Sequence, residues 1–498
     1  MLLRQDGSSA RSGGLFLTCL CLLVACAMLA APSGSAAAGR PLTTGISYLH
    51  VDDFAPVAFD HVKATGSRLV LTPVEWGHIV PEERPANWQP DNPADPNYDW
   101  DAYDQWVRNA VASGLTPVLQ LRGGPRWAQR CHFTSFDQPC DLNPADLAAF
   151  STAAARRYSG NFGGLPRVQY WQGLNEPNLS LFFGPQYVNG KAVSAELYRT
   201  LINTVYSAVK AVDPSNLVLL GGLGPIAVPK YTVGPMQFTR ELLCMRGGSK
   251  KPRPAPGDCG GGVNFDIFDV HPYTTGSPSH EGGPNDVQLG DLQKLQTLIR
   301  AADRAGRINS TFKRTPLWIT EISWDSKPPD PGGLPFPILN RWTAEMLHTA
   351  WSAGISNVFW YSLRDRRPEA GVPFSESLES GLYFSGVSLA EDQPKPNLYA
   401  FRFPFVAYPQ KKGLSFWGRT PTSAGGKVLI QRKKGKGWRT VRSIKANSVG
   451  IFRGTAKTNY GLQKKGYVRA RFQGIDSVPF SMKPVPDFYQ PPFGKPVG

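Results

Sequence analysis

Residues 168–178, VQYWQGLNEPN, constrain the chain more than any other stretch, because a short apolar run stops abruptly at Glu176 with Pro177 behind it. The run reads as a buried strand. Pro177 has no N–H to donate and biases the residue before it toward extended backbone, so Glu176 is expected at the strand's carboxyl end rather than inside a helix. Thr315–Trp324, TPLWITEISW, repeats the pattern with Glu321 at the end of its apolar run. Glu321 follows Glu176 by 145 positions, room for three strand–helix units of about 45–50 residues each with inserted loops.

Other runs extend the series to eight. They are TGISYLH from Thr44, RLVLTPVEW from Arg68, TPVLQLR from Thr116, the run ending at Glu176, NLVLLGGLG from Asn216, FDIFDVHPY from Phe265, the run ending at Glu321, and SNVFWYSLRD from Ser356. They are nearly continuous in apolar residues, as strands covered on both faces must be. Helical patterns separate them, among them Pro56–Thr65, Pro144–Tyr158, Ser194–Val212, Asp291–Ala305 and Leu339–Ala353. Alternation of this kind predicts an α/β fold, a (β/α)8 TIM barrel over about 41–402. Such barrels carry their chemistry at the carboxyl ends of the strands, so the two acids would share one mouth. Facing carboxyl groups are what glycoside cleavage needs: one protonates the leaving oxygen while the other attacks or activates water.

With these motifs in place, the chain resembles clan A of the glycoside hydrolases, the family 5 and family 39 type, over roughly Thr43 to Phe401. In that clan Asn-Glu ends strand four and a second Glu ends strand seven. The resemblance implies a retaining enzyme with Glu176 as general acid/base, Glu321 as nucleophile and Asn175 on the substrate's 2-hydroxyl. It implies that Tyr273 hydrogen-bonds the nucleophile, that His271 borders the acid/base, and that Trp360 forms the floor of the sugar subsite. Arg68 has two open readings: the arginine the clan places beneath the nucleophile, or a strand-start arginine in solvent. Trp127 is likewise either a sugar platform or rim packing. Transglycosylation and non-catalytic glycan binding stay open beside hydrolysis.

An apolar run from Leu15 to Ala31, preceded by Arg4 and Arg11 and followed by Ala36-Ala37-Ala38, predicts a secretory signal over 1–38, with a retained anchor as the alternative. The expected location is therefore extracellular or at the cell envelope, with no membrane span once the signal is removed. Of the seven cysteines, Cys131, Cys140, Cys244 and Cys259 lie beyond the signal. Their spacing predicts disulfides Cys131–Cys140 and Cys244–Cys259. Seven scattered histidines and no Cys-x-x-Cys give no metal-ligand pattern, and no metal or organic cofactor is expected. The 13 tryptophans suit both a packed core and stacking on sugar rings.

From about Phe403 the pattern changes to short β-like runs separated by Gly, Asn and Lys turns, predicting a small all-β sandwich-like domain over 403–498. Between Arg402 and Lys495 stand 20 Lys and Arg against Asp476 and Asp487 alone, so the whole net charge of +16 resides in this tail. Such one-sidedness points to an anionic partner such as an acidic envelope polymer, nucleic acid not being expected for an exported chain. Trp417, Trp438 and Tyr467 leave stacking on a neutral sugar as the alternative.

Overall fold

The structure, a computed structural model, describes residues 39–48, 55–131, 139–257, 261–366, 378–411, 413–457 and 466–485. The expected signal segment and Cys259 lie outside the described residues. From Arg40 onward the chain forms one compact unit.

Eight parallel strands make the first architecture: β1 (Thr43–Ser47), β2 (Leu69–Glu75), β3 (Thr116–Arg122), β4 (Tyr170–Gln172), β5 (Leu217–Leu219), β6 (Phe268–Val270), β7 (Leu317–Ile319) and β8 (Ile355–Tyr361). They pair in the order β6, β7, β8, β1, β2, β3, β4, β5. Bridges Leu219–Ile267 and Leu223–Val270 join the two ends and close the ring. One helix follows each strand: α1 (Pro56–Ala64), α2 (Asp101–Ala112), α3 (Pro144–Arg157), α4 (Ser194–Val212), α5 (Pro235–Leu242), α6 (Leu292–Arg304), α7 (Phe336–Ser352) and α8 (Pro396–Arg402). This is the barrel that the alternating pattern predicts. The eight-residue α5 lies in the one interval where no helical pattern stands out.

Side chains along a strand alternate between the two faces of the sheet, so every second residue points into the barrel. Leu69, Leu71, Val118, Leu219, Ile267, Trp318 and Phe359 form one apolar cluster apart from the main core. It plugs the lower barrel. On β1 the corresponding place falls to Gly45, where a Cβ would meet the Phe359 ring at 2.5 Å. Two residues further along their strands the inward positions turn polar: Gln120, Gln172, Asp269 and Thr320, all buried. A dry floor thus carries a polar layer, and the mouth opens above it.

The second architecture comprises β9 (Phe405–Gln410), β10 (Gly413–Arg419), β11 (Gly426–Lys434), β12 (Gly437–Ala446), β13 (Ile451–Lys457), β14 (Tyr467–Phe472), β15 (Ile475–Asp476) and β16 (Phe480–Ser481). One antiparallel sheet runs β9, β10, β13, and the other runs β12, β11, β14 with β15 and β16 on β14. Phe405, Phe416, Val428, Ile430, Phe452, Val468 and Phe472 fill the space between them, in a core that continues without a break into the barrel's helices. Trp417 packs on Trp351 and His348 of α7. Arg419, 1% exposed, donates to the carbonyls of Leu42 and Phe401 and to Thr44 Oγ1 under the amino end of β1.

Candidate active site

Glu176 and Glu321 meet above the polar layer, and His271 joins them. His271 follows β6 directly, is fully buried, and sets Nδ1 at 2.9 Å from Glu176 Oε1 and 3.6 Å from Glu321 Oε2. Those two carboxylate oxygens are therefore no farther apart than the sum of the two distances, 6.5 Å. Tyr273 donates its hydroxyl to Glu321 Oε2 at 3.1 Å. Glu176 lies four residues past β4, and its backbone is left-handed (φ 39°), not extended as the following proline suggests. Its N–H donates to the carbonyls of both Gly221 and Gly222, and that tertiary pairing together with the bond to His271 overrides the local preference. Left-handed geometry in a non-glycine residue is costly and concentrates at functional sites.

The electrostatics follow from burial and proximity. Burial pushes the Glu321 carboxyl up to about 7; the charge of Glu176 adds to this, while His271, the Tyr273 hydroxyl and Arg122 pull it back. For His271 burial acts downward, but Glu321, Glu176 and Asp269 outweigh it and raise the imidazole to about 9. Arg122, at the end of β3, is paired with Glu75 at 3.2 Å and donates to Tyr48 Oη at 2.5 Å. Beneath lies a continuous hydrogen-bond chain. Tyr48 donates to Gln120, Gln120 to Gln172 and Asn175, and Gln172 to Asp269 Oδ2 at 2.5 Å. Two adjacent carboxyl groups, one held by donors that favour its ionised form, are equipped for proton transfer and nucleophilic attack at a single centre.

Known structures share this scaffold. The chain superposes on a family 39 glycoside hydrolase from the gut symbiont Bacteroides cellulosilyticus WH2 with a TM-score of 0.53 and 18% identity, covering 84% of this chain and 81% of that one. The family 39 enzyme from Xanthomonas axonopodis pv. citri gives 0.50 at 15% identity over 84% and 93% of the two chains. The fold is that of family 39 glycoside hydrolases. A monomeric β-xylosidase from Caulobacter crescentus CB15 also matches, at 0.50 and 15% identity over 85% and 96%. The sequence itself matches no family model and no curated protein.

Within this family 39 fold the predicted residues are not all brought together. Glu176, Asn175, His271, Tyr273 and Glu321 gather at the mouth. Arg68 does not. It precedes β2 at the opposite end of the barrel, exposed, with Nη2 donating to the carbonyl of Thr422. Seven residues of strand, about 20 Å, separate it from the mouth, and the arginine whose charge acts on Glu321 is Arg122. Trp360 is also displaced. Phe359 fills the barrel interior, so its neighbour Trp360 points outward, against Phe401 and Trp324, with Nε1 donating to the Ser380 carbonyl. The inward residue is Tyr361, packed edge-on to Tyr48 at 5.1 Å and close enough to Glu321 to feel its charge. Trp127 packs edge-on to Trp76 and Trp88, with Arg84 over its ring, and donates to the Pro81 carbonyl: it fastens the loops after β2 and β3. Cys131 and Cys140 are bonded. Cys244 is also in a disulfide; its expected partner, Cys259, lies outside the described residues. Gln120, Gln172, Asp269 and Thr320 belong to no sequence motif, although a polar residue inside an otherwise apolar strand is itself a signal, since burial obliges it to find partners. Among the described residues no group of His, Cys, Asp and Glu is placed to hold a metal ion.

Proposed function

We propose that the chain is an exported retaining glycosidase that cleaves O-glycosidic bonds of an oligo- or polysaccharide by double displacement. The observation that carries this reading is the position of His271 Nδ1 against both Glu176 and Glu321, which caps the separation of one oxygen of each at 6.5 Å, a limit that admits the ~5–5.5 Å spacing of retaining enzymes and only the lower edge of the ~6.5–9.5 Å that accommodates a water. Glu321 takes the nucleophile's role because Tyr273 and Arg122 both favour its ionised form. Glu176 protonates the departing oxygen while Glu321 attacks the anomeric carbon, and the C–O bond breaks as a glycosyl ester forms on Glu321. Water then attacks that ester, gives its proton to Glu176, and releases the sugar with its original configuration.

Because one neighbour of the same fold is named a β-xylosidase, aryl β-xylosides head the substrate panel, followed by aryl arabinosides, glucosides and mannosides. Proton NMR of the first-formed sugar should show retention. Inversion, or turnover that survives loss of both glutamates, would sink the reading.

An acidic polysaccharide is the partner proposed for the second architecture. The register pairs Lys427 with Lys445, Leu429 with Arg471, Gln431 with Arg469 and Lys433 with Trp438. These alternate with buried Val428 and Ile430, so the cations share the outward face. Arg469 and Lys433 stand over the Trp438 ring at 4.3 and 5.2 Å. Trp417 is buried against α7 and is unavailable for stacking on a glycan.

A further inference from the structure

Three carboxyl groups surround the His271 imidazole, and only two of them take part in the chemistry above. The third, Asp269, is fully buried in the polar layer. Its Oδ1 accepts the Gly221 N–H at 2.9 Å, and its Oδ2 accepts the Gln172 side chain at 2.5 Å and the Thr320 hydroxyl at 3.0 Å. Three donors on two oxygens are the surroundings of a carboxylate. Thr320 has a single hydroxyl proton, and it is directed to Asp269. Burial raises the Asp269 carboxyl, and its three donors pull it back; with Asp269 ionised, the 3.0 Å contact between Thr320 Oγ1 and His271 Nε2 is a bond in which Nε2–H donates. One ring nitrogen is thereby committed to carrying a proton.

The other nitrogen, Nδ1, faces Glu176 Oε1 at 2.9 Å and Glu321 Oε2 at 3.6 Å. With the proton that Glu176 donates in catalysis carried on its Oε2, both facing oxygens are acceptors; a bare Nδ1 lone pair turned on them would be repelled, so the contact calls for a proton. We propose that His271 works as an imidazolium bridge between Glu176 and Glu321, and that Asp269 and Thr320 are positioning residues that hold it in that state. This inference rests on the glycosidase reading for its purpose, not for its geometry. The positive charge of the bridge favours the ionised form of Glu321 against the burial that raises its carboxyl. Its Nδ1–H occupies Glu176 Oε1 and leaves Oε2 as the oxygen that exchanges a proton with the leaving group and then with water.

The charged and titratable groups around the ring are Asp269 from its own strand, Glu176 after β4 and Glu321 after β7, with Arg122 on β3 and Tyr273 acting on Glu321, and Tyr361 close enough to feel its charge. The balance is anionic, consistent with an imidazole raised to about 9. Asp269 Oδ2 lies no farther from Nε2 than the sum of the two Thr320 bonds, 6.0 Å, close enough for a carboxylate to shift a pKa by roughly 1–3 units.

The test is nitrogen NMR of the full chain labelled with ¹⁵N-histidine, with His271 assigned from the signals lost in His271→Gln. Two protonated ring nitrogens at pH 7.5, well above the ordinary histidine range near 6.5, are expected. In Asp269→Asn and Thr320→Val an unprotonated nitrogen should appear at the same pH, while Thr320→Ser should keep the wild-type spectrum. The basic limb of the kcat/KM profile should move down by about 1–3 pH units with the first two changes and stay in place with the third. An unprotonated nitrogen in the wild type at pH 7.5, or an Asp269→Asn variant that titrates like the wild type, would overturn the proposal. If the variants do not fold, the wild-type titration alone decides it. An intact imidazolium in a protein that turns over no glycoside would uphold the bridge and defeat the glycosidase reading instead.

Discussion

Gly222 stands so close behind His271 that a Cβ there would lie 2.1 Å from Nε2, and its φ of 65° is one that side-chain-bearing residues rarely adopt. Gly222→Ala must therefore push the imidazole off both glutamates. With reacting groups displaced by the order of 1 Å, kcat should fall roughly 100-fold, while far-ultraviolet circular dichroism stays that of the parent. The glutamates themselves should respond in opposite ways. Glu321→Ala is expected to abolish turnover, with azide entering the vacated space and yielding a glycosyl azide of inverted configuration. Glu176→Ala should spare the first step for substrates whose leaving groups need little protonation. Equal losses on good and poor leaving groups would mean that the two roles are misassigned. These acids were legible because each ends an apolar run, and His271 and Tyr273 because they end another. Arg122 and Tyr361 were harder to single out. Position along a strand fixes how near a residue comes to the mouth, and a one-residue change of register exchanges inside for outside, as Trp360 and Tyr361 illustrate.

At the scale of elements, the loops after β7 and β8 are tied to the start of α8 by one buried cation. Lys395 Nζ donates to Asp365 Oδ1 at 2.5 Å, Ser326 Oγ at 2.7 Å and the Glu379 carbonyl at 2.9 Å. Burial pushes the Asp365 carboxyl up to about 7 against the pull of Lys395, and burial lowers the Lys395 ammonium. Desolvation thus offsets much of the attraction within the pair. Lys395→Met leaves Asp365 without its counter-charge, a loss expected to cost about 3–5 kcal/mol where Asp365 is ionised. The sign with pH follows from the raised carboxyl: below 7 Asp365 takes up a proton and needs no cation, so the penalty should be large at pH 8.5 and much smaller at pH 5. Urea unfolding at the two pH values measures it, and a penalty independent of pH would contradict this account. Helices such as α4 and α6 were legible from their apolar stripes. The Lys395 tie was not, because Ser326, Asp365, Glu379 and Lys395 lie far apart in the chain and only the closed barrel brings them together.

Across the whole molecule, charge and core are divided differently. The cationic excess belongs to the last hundred residues, and its outward face predicts salt-sensitive attraction. Retention of the full chain on an acidic polysaccharide should fall steeply between low and moderate salt, since exposed charges are screened beyond ~8 Å at physiological ionic strength, whereas retention on a neutral one should stay weak throughout. Salt-independent capture by the neutral glycan would reject that reading. Composition revealed the charge boundary near residue 403, but not that the hydrophobic core runs across it. The Arg419 contact illustrates that continuity, reaching Leu42 across 377 positions. It also sets a timetable for biogenesis. As the polypeptide leaves the ribosome, Leu42 and Thr44 are made long before the guanidinium that sits beneath them, and closure of β1 against β8 must itself wait for Tyr361. A nascent chain stalled before residue 419 should therefore be cut readily by protease, and resistance should arrive late and all at once, when the final sheets seal the underside of the first strand.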